Sequence, residues 1–288
     1  MQKPIGRRAN ICGVRVSSKT KSEVLESLGK VLVSKANQDT VTVVTPNPEQ
    51  VVQAREDDTF RHILNRSSLA VADGVGLIWA AKILEARSQK SEVSVLERYS
   101  GRELAEDLIQ ICAEERLKVM IVGGKRGVAE EAARRLKEIL RLSGSSHLTR
   151  SAQDDKLALK SLANLSIRGL EGAKDIRNET REERERVFGE VRKFKPKLLL
   201  VAYGAPAQEK WIWENREVLE ETGVRVAMVV GGAVDVWAGR VKLAPSWLRK
   251  LGLEWLWRLI HEPWRWKRQI RLIEFVGMVL KEKVSGKS

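Results

Sequence analysis

The fold of this chain is constrained most by an alternation of short β-branched runs with longer amphipathic segments. Six runs have the Val, Ile and Leu content of buried strands, and they lie at residues 41–45, 69–72, 118–122, 165–167, 198–203 and 224–230. The segments between them have apolar residues at three- and four-residue spacing, as helices do, at residues 101–116, 128–141, 182–194 and 208–221. Strands that alternate with helices predict an α/β fold around a mostly parallel sheet flanked by helices.

Glycines and short polar residues follow five of the predicted strands. These strand ends lie at residues 45–49, 73–76, 123–127, 204–208 and 231–235. In an open, Rossmann-like sheet, ligands bind beyond the carboxyl ends of the strands, and parallel strands share that edge. The pattern therefore predicts one long substrate cleft along one edge of the sheet.

The strand pattern stops near Gly239. Two helical patterns follow, at residues 246–260 and 264–280, and Pro263 separates them because its ring and its missing N–H interrupt a helix. A chain of 288 residues can bury one sizeable core and a small appendage. We therefore predict an α/β core over residues 1–238 and a C-terminal helical appendage over residues 239–288. Polar insertions at 86–92 and 143–162 carry no motif that we can assign.

The appendage is rich in tryptophan and in positive charge. It holds five of the nine Trp and twelve of the 52 Lys and Arg against four acids, so its net charge is +8 of the total +14. Indole rings beside guanidinium groups suit the headgroup layer of a bilayer. In the second helical pattern one stripe is apolar and consists of Trp266, Ile270, Ile273, Gly277 and Leu280. A second stripe is basic and consists of Arg265, Arg268 and Arg271. An amphipathic, basic helix predicts contact with an anionic membrane surface; packing of the apolar stripe on the main domain is the alternative, and both can hold.

No part of the sequence predicts a membrane span, a secretory signal or a disulfide. Apolar runs of about 18 residues are absent, and no apolar segment follows the basic start of the chain. Cys12 and Cys112 have no CxxC partner, which favours a reducing compartment and no metal site. We predict a cytoplasmic protein, peripheral on the inner face of the cell membrane. The basic charge leaves nucleic-acid binding as an alternative, but only two Tyr and four Phe are present for base stacking.

Three strand ends offer candidate chemistry, and each has a purely structural alternative. Thr45 and Asn47 carry a hydroxyl and an amide suited to sugar hydroxyls and an N-acetyl group, although Asn47 could instead cap a helix that begins at Pro48. Asp73 could act as a general base or as a helix cap. Gly123 and Gly124 could present backbone N–H groups to a diphosphate or form a plain tight turn, because the segment is neither GxGxxG nor a Walker loop.

Nine segments, taken in order between about residues 10 and 275, resemble the WecG/TagA/CpsF glycosyltransferases. They are Thr45-Pro46-Asn47-Pro48-Glu49, Ala72-Asp73-Gly74-Val75-Gly76, Glu97-Arg98-Tyr99-Ser100-Gly101, Gly123-Gly124, Gly204-Ala205-Pro206-Ala207-Gln208-Glu209, Gly231-Gly232-Ala233-Val234-Asp235, Ala238-Gly239, Ala244-Pro245 and Gly252-Leu253-Glu254-Trp255-Leu256-Trp257-Arg258-Leu259. The combination is specific, although no single segment would suffice.

The resemblance implies an inverting enzyme of cell-wall and teichoic acid synthesis. It would move a sugar, typically N-acetylmannosamine, from a UDP-sugar donor to N-acetylglucosamine on a polyprenyl-diphosphate acceptor. Asp73 would be the catalytic base, and Arg98 would neutralise diphosphate charge. The implied substrate contacts are Thr45, Asn47, Gln208, the turn glycines Gly123, Gly124, Gly231 and Gly232, and the appendage arginines Arg258, Arg265 and Arg268.

The resemblance also implies metal independence, with which the absence of an Asp-x-Asp motif at a strand end is consistent. No cofactor is predicted, and a homo-oligomer is left open. One departure is Leu243, where the family usually has an arginine, so that a phosphate contact is absent or passes to Arg240 or Lys242. The rival functions are a Rossmann-type nucleotide-dependent oxidoreductase, which would need a regular GxGxxG, and a basic nucleic-acid-binding protein.

Overall fold

The computed structural model describes residues 4–34, 39–85, 97–125, 127–143, 165–245, 247–248, 254–261 and 266–285. Within these ranges it describes only the backbone of 139–143, 254, 255, 258 and 267–269. The polar insertion at 86–92 and residues 144–162 of the second lie outside the described residues.

The described strands form an antiparallel hairpin and a six-stranded parallel sheet. The hairpin consists of Arg8–Ile11 (β1) and Val14–Ser17 (β2), and it was not predicted. The sheet contains Val41–Val44 (β3), Leu69–Ala70 (β4), Lys118–Gly123 (β5), Ser166–Leu170 (β6), Leu198–Ala202 (β7) and Val226–Val229 (β8). Its order is β4-β3-β8-β7-β5-β6, and every pairing is parallel. The predicted α/β class is confirmed.

Helices cover both faces of this sheet. They are Lys21–Val33 (α1), Pro48–Glu56 (α2), Asp58–Arg66 (α3), Val75–Glu85 (α4), Gly101–Glu114 (α5), Val128–Ser143 (α6), Arg181–Phe194 (α7), Ala207–Glu214 (α8), Arg216–Glu221 (α9), Ala233–Trp237 (α10), Glu254–His261 (α11) and Trp266–Ser285 (α12). A short 3-10 turn lies at Ile176–Asn178.

Alternate residues of the central strands face two separate apolar clusters. In β7, Leu198 and Leu200 pack with α1, α5, α6 and α10, whereas Leu199 and Val201 pack with α2, α3, α4, α7 and α8. All five residues of β7 are buried. A strand that is apolar throughout therefore has both faces covered, as parallel strands usually do.

The last helix docks on the sheet's second layer. Phe275 and Val279 of α12 are fully buried in the same cluster as residues of α2 and α4, with which the helix is in contact. The predicted apolar stripe lies on the opposite side, where Trp266, Ile270, Ile273 and Leu280 are 45–74% exposed. The alternative that this stripe packs on the main domain is therefore wrong, because a different face of the helix does so.

None of the helices in the described ranges has both the length and the apolar character that a bilayer-crossing segment requires.

Candidate active site

The carboxyl ends of five strands meet at one edge of the sheet, where backbone hydrogen bonds join them in pairs. The N–H of Asp73, after β4, donates to the carbonyl of Pro46, after β3, at 2.9 Å. The N–H of Gly124, after β5, donates to the carbonyl of Ala202 in β7 at 2.9 Å. The N–H of Val230, after β8, donates to the carbonyl of Val201 at 2.9 Å. The motifs that the sequence places at strand ends are thus neighbours in space.

Asp73 lies at this edge with its side chain partly exposed. The backbone turns directly after it at Gly74, whose φ of +96° is one that a residue with a side chain rarely adopts. Two residues on, a Cβ at Gly76 would lie 2.6 Å from Cγ of Pro48. The chain after Asp73 therefore lies directly against the start of α2, which places the backbone of Asp73 next to the Thr45–Asn47 turn.

The segment that contains Arg98 reaches the same place. The N–H of Tyr99 donates to the carbonyl of Ala72 at 3.2 Å, and a Cβ at Gly101 would lie 3.0 Å from Oγ1 of Thr45. Burial acts to raise the pKa of Glu103 in the first turn of α5, yet the charges of Lys21 and Arg98 help to hold that pKa below its usual value. The structure thus brings Thr45, Asp73 and the Arg98 segment together.

Asn47 is the N-cap of α2, as the structural alternative predicted. Its Oδ1 accepts from the N–H of Gln50 at 3.0 Å, and its own N–H donates to Oε1 of Gln50 at 3.2 Å. Pro48 is the first residue of the helix. Because the cap engages Oδ1, the polar group that Asn47 can offer to a ligand is the Nδ2 amide, a donor.

Gln208 ties together the turns that follow β7 and β8. Its Oε1 accepts from the N–H groups of Gly204 and Gly231 at 3.2 and 3.1 Å, and its side chain is 4% exposed. Gly231, with a φ of +47°, and Gly232, at the start of α10, complete the second turn. The structure therefore places Gln208 between two glycine turns, and its contact with substrate stays a prediction.

The glycines after β5 have a packing role. Gly123 and Gly124 have φ values of +107° and +75°, and a Cβ at Gly123 would lie 2.9 Å from the backbone of Ala202. The tight-turn alternative thus accounts for these glycines, and a phosphate contact stays a prediction. Nη1 of Arg240 donates to the carbonyl of Lys125 at 3.3 Å, so one of the two basic residues named as substitutes for the missing arginine lies at this turn.

A buried carboxyl at the same edge was not singled out from the sequence. Glu209 is 1% exposed, and its Oε1 accepts from Nε2 of Gln208 at 3.1 Å and from Nε2 of Gln50 at 3.0 Å. Burial raises the pKa of Glu209 to about 7, against hydrogen bonds that act to lower it. Helical spacing in the sequence could have predicted the burial of Glu209, because it lies three residues before the buried Ile212 on one face of α8.

The side chains of the three appendage arginines lie outside the described part of the structure. Arg258 lies in α11 and Arg268 in α12, where only the backbone of each is described, and Arg265 lies outside the described residues. Their predicted roles stay predictions. In the parts of the chain with described side chains, no group of three His, Cys, Asp or Glu is arranged to hold a metal ion.

Comparison with known proteins relates nearly the whole chain to one family of enzymes. Residues 9–288 match the family described as "Glycosyl transferase WecG/TagA/CpsF family". Two relatives share the name N-acetylglucosaminyldiphosphoundecaprenol N-acetyl-beta-D-mannosaminyltransferase. The one from Bacillus subtilis (strain 168) is 26% identical over 247 residues, 85% of this chain and 81% of the relative. The one from Staphylococcus aureus (strain MW2) is 28% identical over 265 residues, 92% of this chain and 88% of the relative.

Proposed function

The chain belongs to the WecG/TagA/CpsF family of glycosyltransferases, and from that premise we propose that it transfers N-acetylmannosamine from a UDP-sugar to N-acetylglucosamine on undecaprenyl diphosphate, with inversion. The relatives' printed name describes this acceptor and this sugar, and the match covers more than four fifths of each relative. The proposed role is in the synthesis of a cell-envelope polymer. The observation that carries the proposal is the convergence of Asp73, Thr45 and the Arg98 segment at one edge of the sheet.

In the proposed reaction Asp73 is the general base. Its carboxylate takes the proton from the 4-hydroxyl of the acceptor sugar, and the resulting oxygen attacks the anomeric carbon of the donor. The bond from that carbon to the diphosphate breaks on the opposite face, and its electron pair leaves with UDP. The partial exposure of Asp73 and the hydrogen bond from its backbone N–H to Pro46 support this role, because a base must reach its proton in a fixed geometry.

The sugars would be held on the β3 side of the cleft. The hydroxyl of Thr45 and the Nδ2 donor of Asn47 are the groups suited to sugar hydroxyls and to the carbonyl of an N-acetyl group. The hydrogen bonds that fix Asn47 at the start of α2 support this role, because the side chain is oriented before substrate arrives.

The departing diphosphate would be neutralised by cationic side chains and by backbone N–H groups of the turns. Arg98 is the candidate beside the sugar-binding side of the cleft. We assign Arg240 as a second candidate, since its guanidinium lies at the turn that contains Gly124 and Lys125. This position would supply the positive charge that Leu243 lacks.

We further propose that the protein works at the inner face of the cell membrane and that the outer face of α12 contacts lipid. This face consists of the exposed side chains Trp266, Ile270, Ile273, Leu280 and Val284. The anchoring of Phe275 and Val279 in the core supports the proposal, because it turns these apolar side chains outward. A basic appendage adds about 1 kcal/mol per Lys or Arg near an anionic leaflet.

The test is a transfer assay with a short-chain polyprenyl diphosphate that carries N-acetylglucosamine. UDP release is measured with UDP-N-acetylmannosamine, with its uronic acid and with UDP-glucose, and the anomeric configuration of the product is determined by NMR. We expect release with UDP-N-acetylmannosamine and a β-linked product. If no UDP-sugar supports release while a nicotinamide dinucleotide binds, the oxidoreductase alternative replaces this proposal.

A further inference from the structure

Glu209 occupies the middle of the cleft edge, between the two groups of turns described above. Its Oε1 accepts from two amide side chains, those of Gln50 and Gln208, at 3.0 and 3.1 Å. Gln50 in turn accepts from the N–H of Asn47 at the start of α2, and Gln208 accepts from Gly204 and Gly231. One carboxyl oxygen thus connects the turn after β3 to the turns after β7 and β8.

The connection crosses the centre of the sheet. Strand β3 pairs with β8, and β8 pairs with β7. On the β3 side lie Thr45, Asn47 and Asp73, which are the candidate acceptor-binding and base residues. On the other side lie the glycine turns, which are the candidate diphosphate-binding backbone. Glu209 therefore bridges the two halves that the proposed reaction must hold in alignment.

Packing alone does not explain a buried carboxyl at this position, because burial of a carboxyl lowers stability. Its neighbours Trp211 and Ile212 in α8 are buried apolar residues. Oε2 of Glu209 is buried and has no hydrogen-bond partner among the described atoms. A buried carboxyl in such surroundings costs free energy that an apolar residue would avoid. What the carboxyl contributes is an acceptor that two amide donors can share.

We propose that Glu209 is a positioning residue, which fixes the separation and orientation of the two halves of the cleft through Gln50 and Gln208. The inference rests on the proposed function, because it assigns the two halves to acceptor and diphosphate. Each half keeps its own groups for its own ligand when Glu209 is removed, so the KM for each substrate is expected to change little. Alignment of the reacting atoms is lost, and a misplacement of about 1 Å lowers turnover by about 10²-fold.

The experiment compares Glu209→Met with Glu209→Gln. Methionine fills a similar volume without an acceptor oxygen, whereas glutamine retains one oxygen that can occupy the position of Oε1. We expect Glu209→Met to lower kcat by about 10- to 100-fold, with each KM within about threefold of the wild-type value. We expect Glu209→Gln to keep most of the wild-type kcat. Glu214→Gln, an exposed glutamate on the same helix, is the matched control. A fall in Glu209→Met that glutamine does not restore, or a rise in KM alone, would overturn the inference.

Gln50→Ala removes the hydrogen bond between Gln50 and Glu209 from the Gln50 side. It replaces Glu209→Met in the experiment if that variant folds poorly. In a double-mutant cycle, Gln50→Ala combined with Glu209→Met should cost no more in kcat than the larger single loss, because both break one connection. Additive losses would contradict this.

A readout that needs no substrate separates this inference from the proposed function. Backbone amide exchange of Gly204 and Gly231 should become at least tenfold faster in Glu209→Met, since their acceptor Gln208 is no longer held. Unchanged exchange overturns the inference even in an active enzyme. Faster exchange in a protein that transfers no sugar supports the connection and rejects the proposed function.

Discussion

Apolar side chains are usually buried and charged ones exposed, and two regions of the molecule depart from this in opposite directions: the surroundings of Glu209 and the outer face of α12. One encloses a carboxyl that is 1% exposed, and the other presents Ile273 at 74% exposure. Most other apolar side chains of the described chain are buried in the two clusters, although Trp247 and Ile260 are also 60% and 65% exposed. Departures of this kind concentrate at functional sites, because stability alone does not favour them. This comparison agrees with the proposal of one region for catalysis and a separate region for membrane contact.

The sharpest separation of the two regions is expected from Asp73→Asn. Loss of the general base should lower kcat by about 10²- to 10⁴-fold, while UDP binding and binding to anionic vesicles stay unchanged. Steady-state kinetics, calorimetry with UDP and vesicle sedimentation measure the three quantities. Near-normal turnover would remove Asp73 as the base.

Phe275→Ala tests whether the inner face of α12 packs on the core while its outer face does not. The fully buried ring should leave a cavity that lowers the free energy of unfolding by about 3–5 kcal/mol. Chemical denaturation followed by tryptophan fluorescence measures the change. A loss below 1 kcal/mol would mean that α12 does not dock as described.

The pH dependence of stability tests the buried carboxyl. The pKa of Glu209 is about 7 in the folded protein, above the ordinary value of 4.5, so the native state binds the extra proton and this group lowers stability as pH rises towards 7. Glu209→Gln should remove that loss, so its free energy of unfolding relative to wild type should improve by about 2–3 kcal/mol between about pH 5 and about pH 8. Urea titrations at both pH values measure it, with Glu214→Gln as control. No change between the two pH values would mean that Glu209 has its ordinary pKa, and a change of the opposite sign would mean that the folded protein stabilises the charged carboxylate.

Ile273→Glu should affect only the outer face. Loss of one apolar side chain from the lipid contact is worth about 1.5–3 kcal/mol, or roughly a 10- to 100-fold weaker affinity for anionic vesicles. The free energy of unfolding and kcat with a soluble short-chain acceptor should change little, since the side chain is 74% exposed. Val33→Glu, at an exposed apolar position on α1, is the control and should not weaken vesicle binding. Equal effects of the two substitutions would remove the outer face of α12 as the contact.

The same comparison explains what could be predicted from the sequence. Strands β3 to β8 and their shared edge follow from β-branched runs that end in glycine or a short polar residue, since those signals are local. Hairpin β1–β2 was missed because Arg8, Asn10 and Arg15 alternate with its apolar residues, so that neither strand has the continuous apolar run by which the buried strands were predicted. The docking face of α12 was not predictable, because the helix has two apolar stripes and only the tertiary structure selects Phe275 and Val279. Glu209 was not recognised because a charged residue in an amphipathic helix usually faces solvent.

The docking of α12 has a consequence for how the molecule would meet its substrate. Phe275 and Val279 pack α12 against α2 and α4, two of the helices that begin at the cleft edge, so the outer face keeps a constant angle to the opening. A surface that binds this face would therefore hold the whole enzyme in one orientation. On the proposed membrane surface, encounter with a lipid-linked sugar would take place by lateral diffusion in two dimensions.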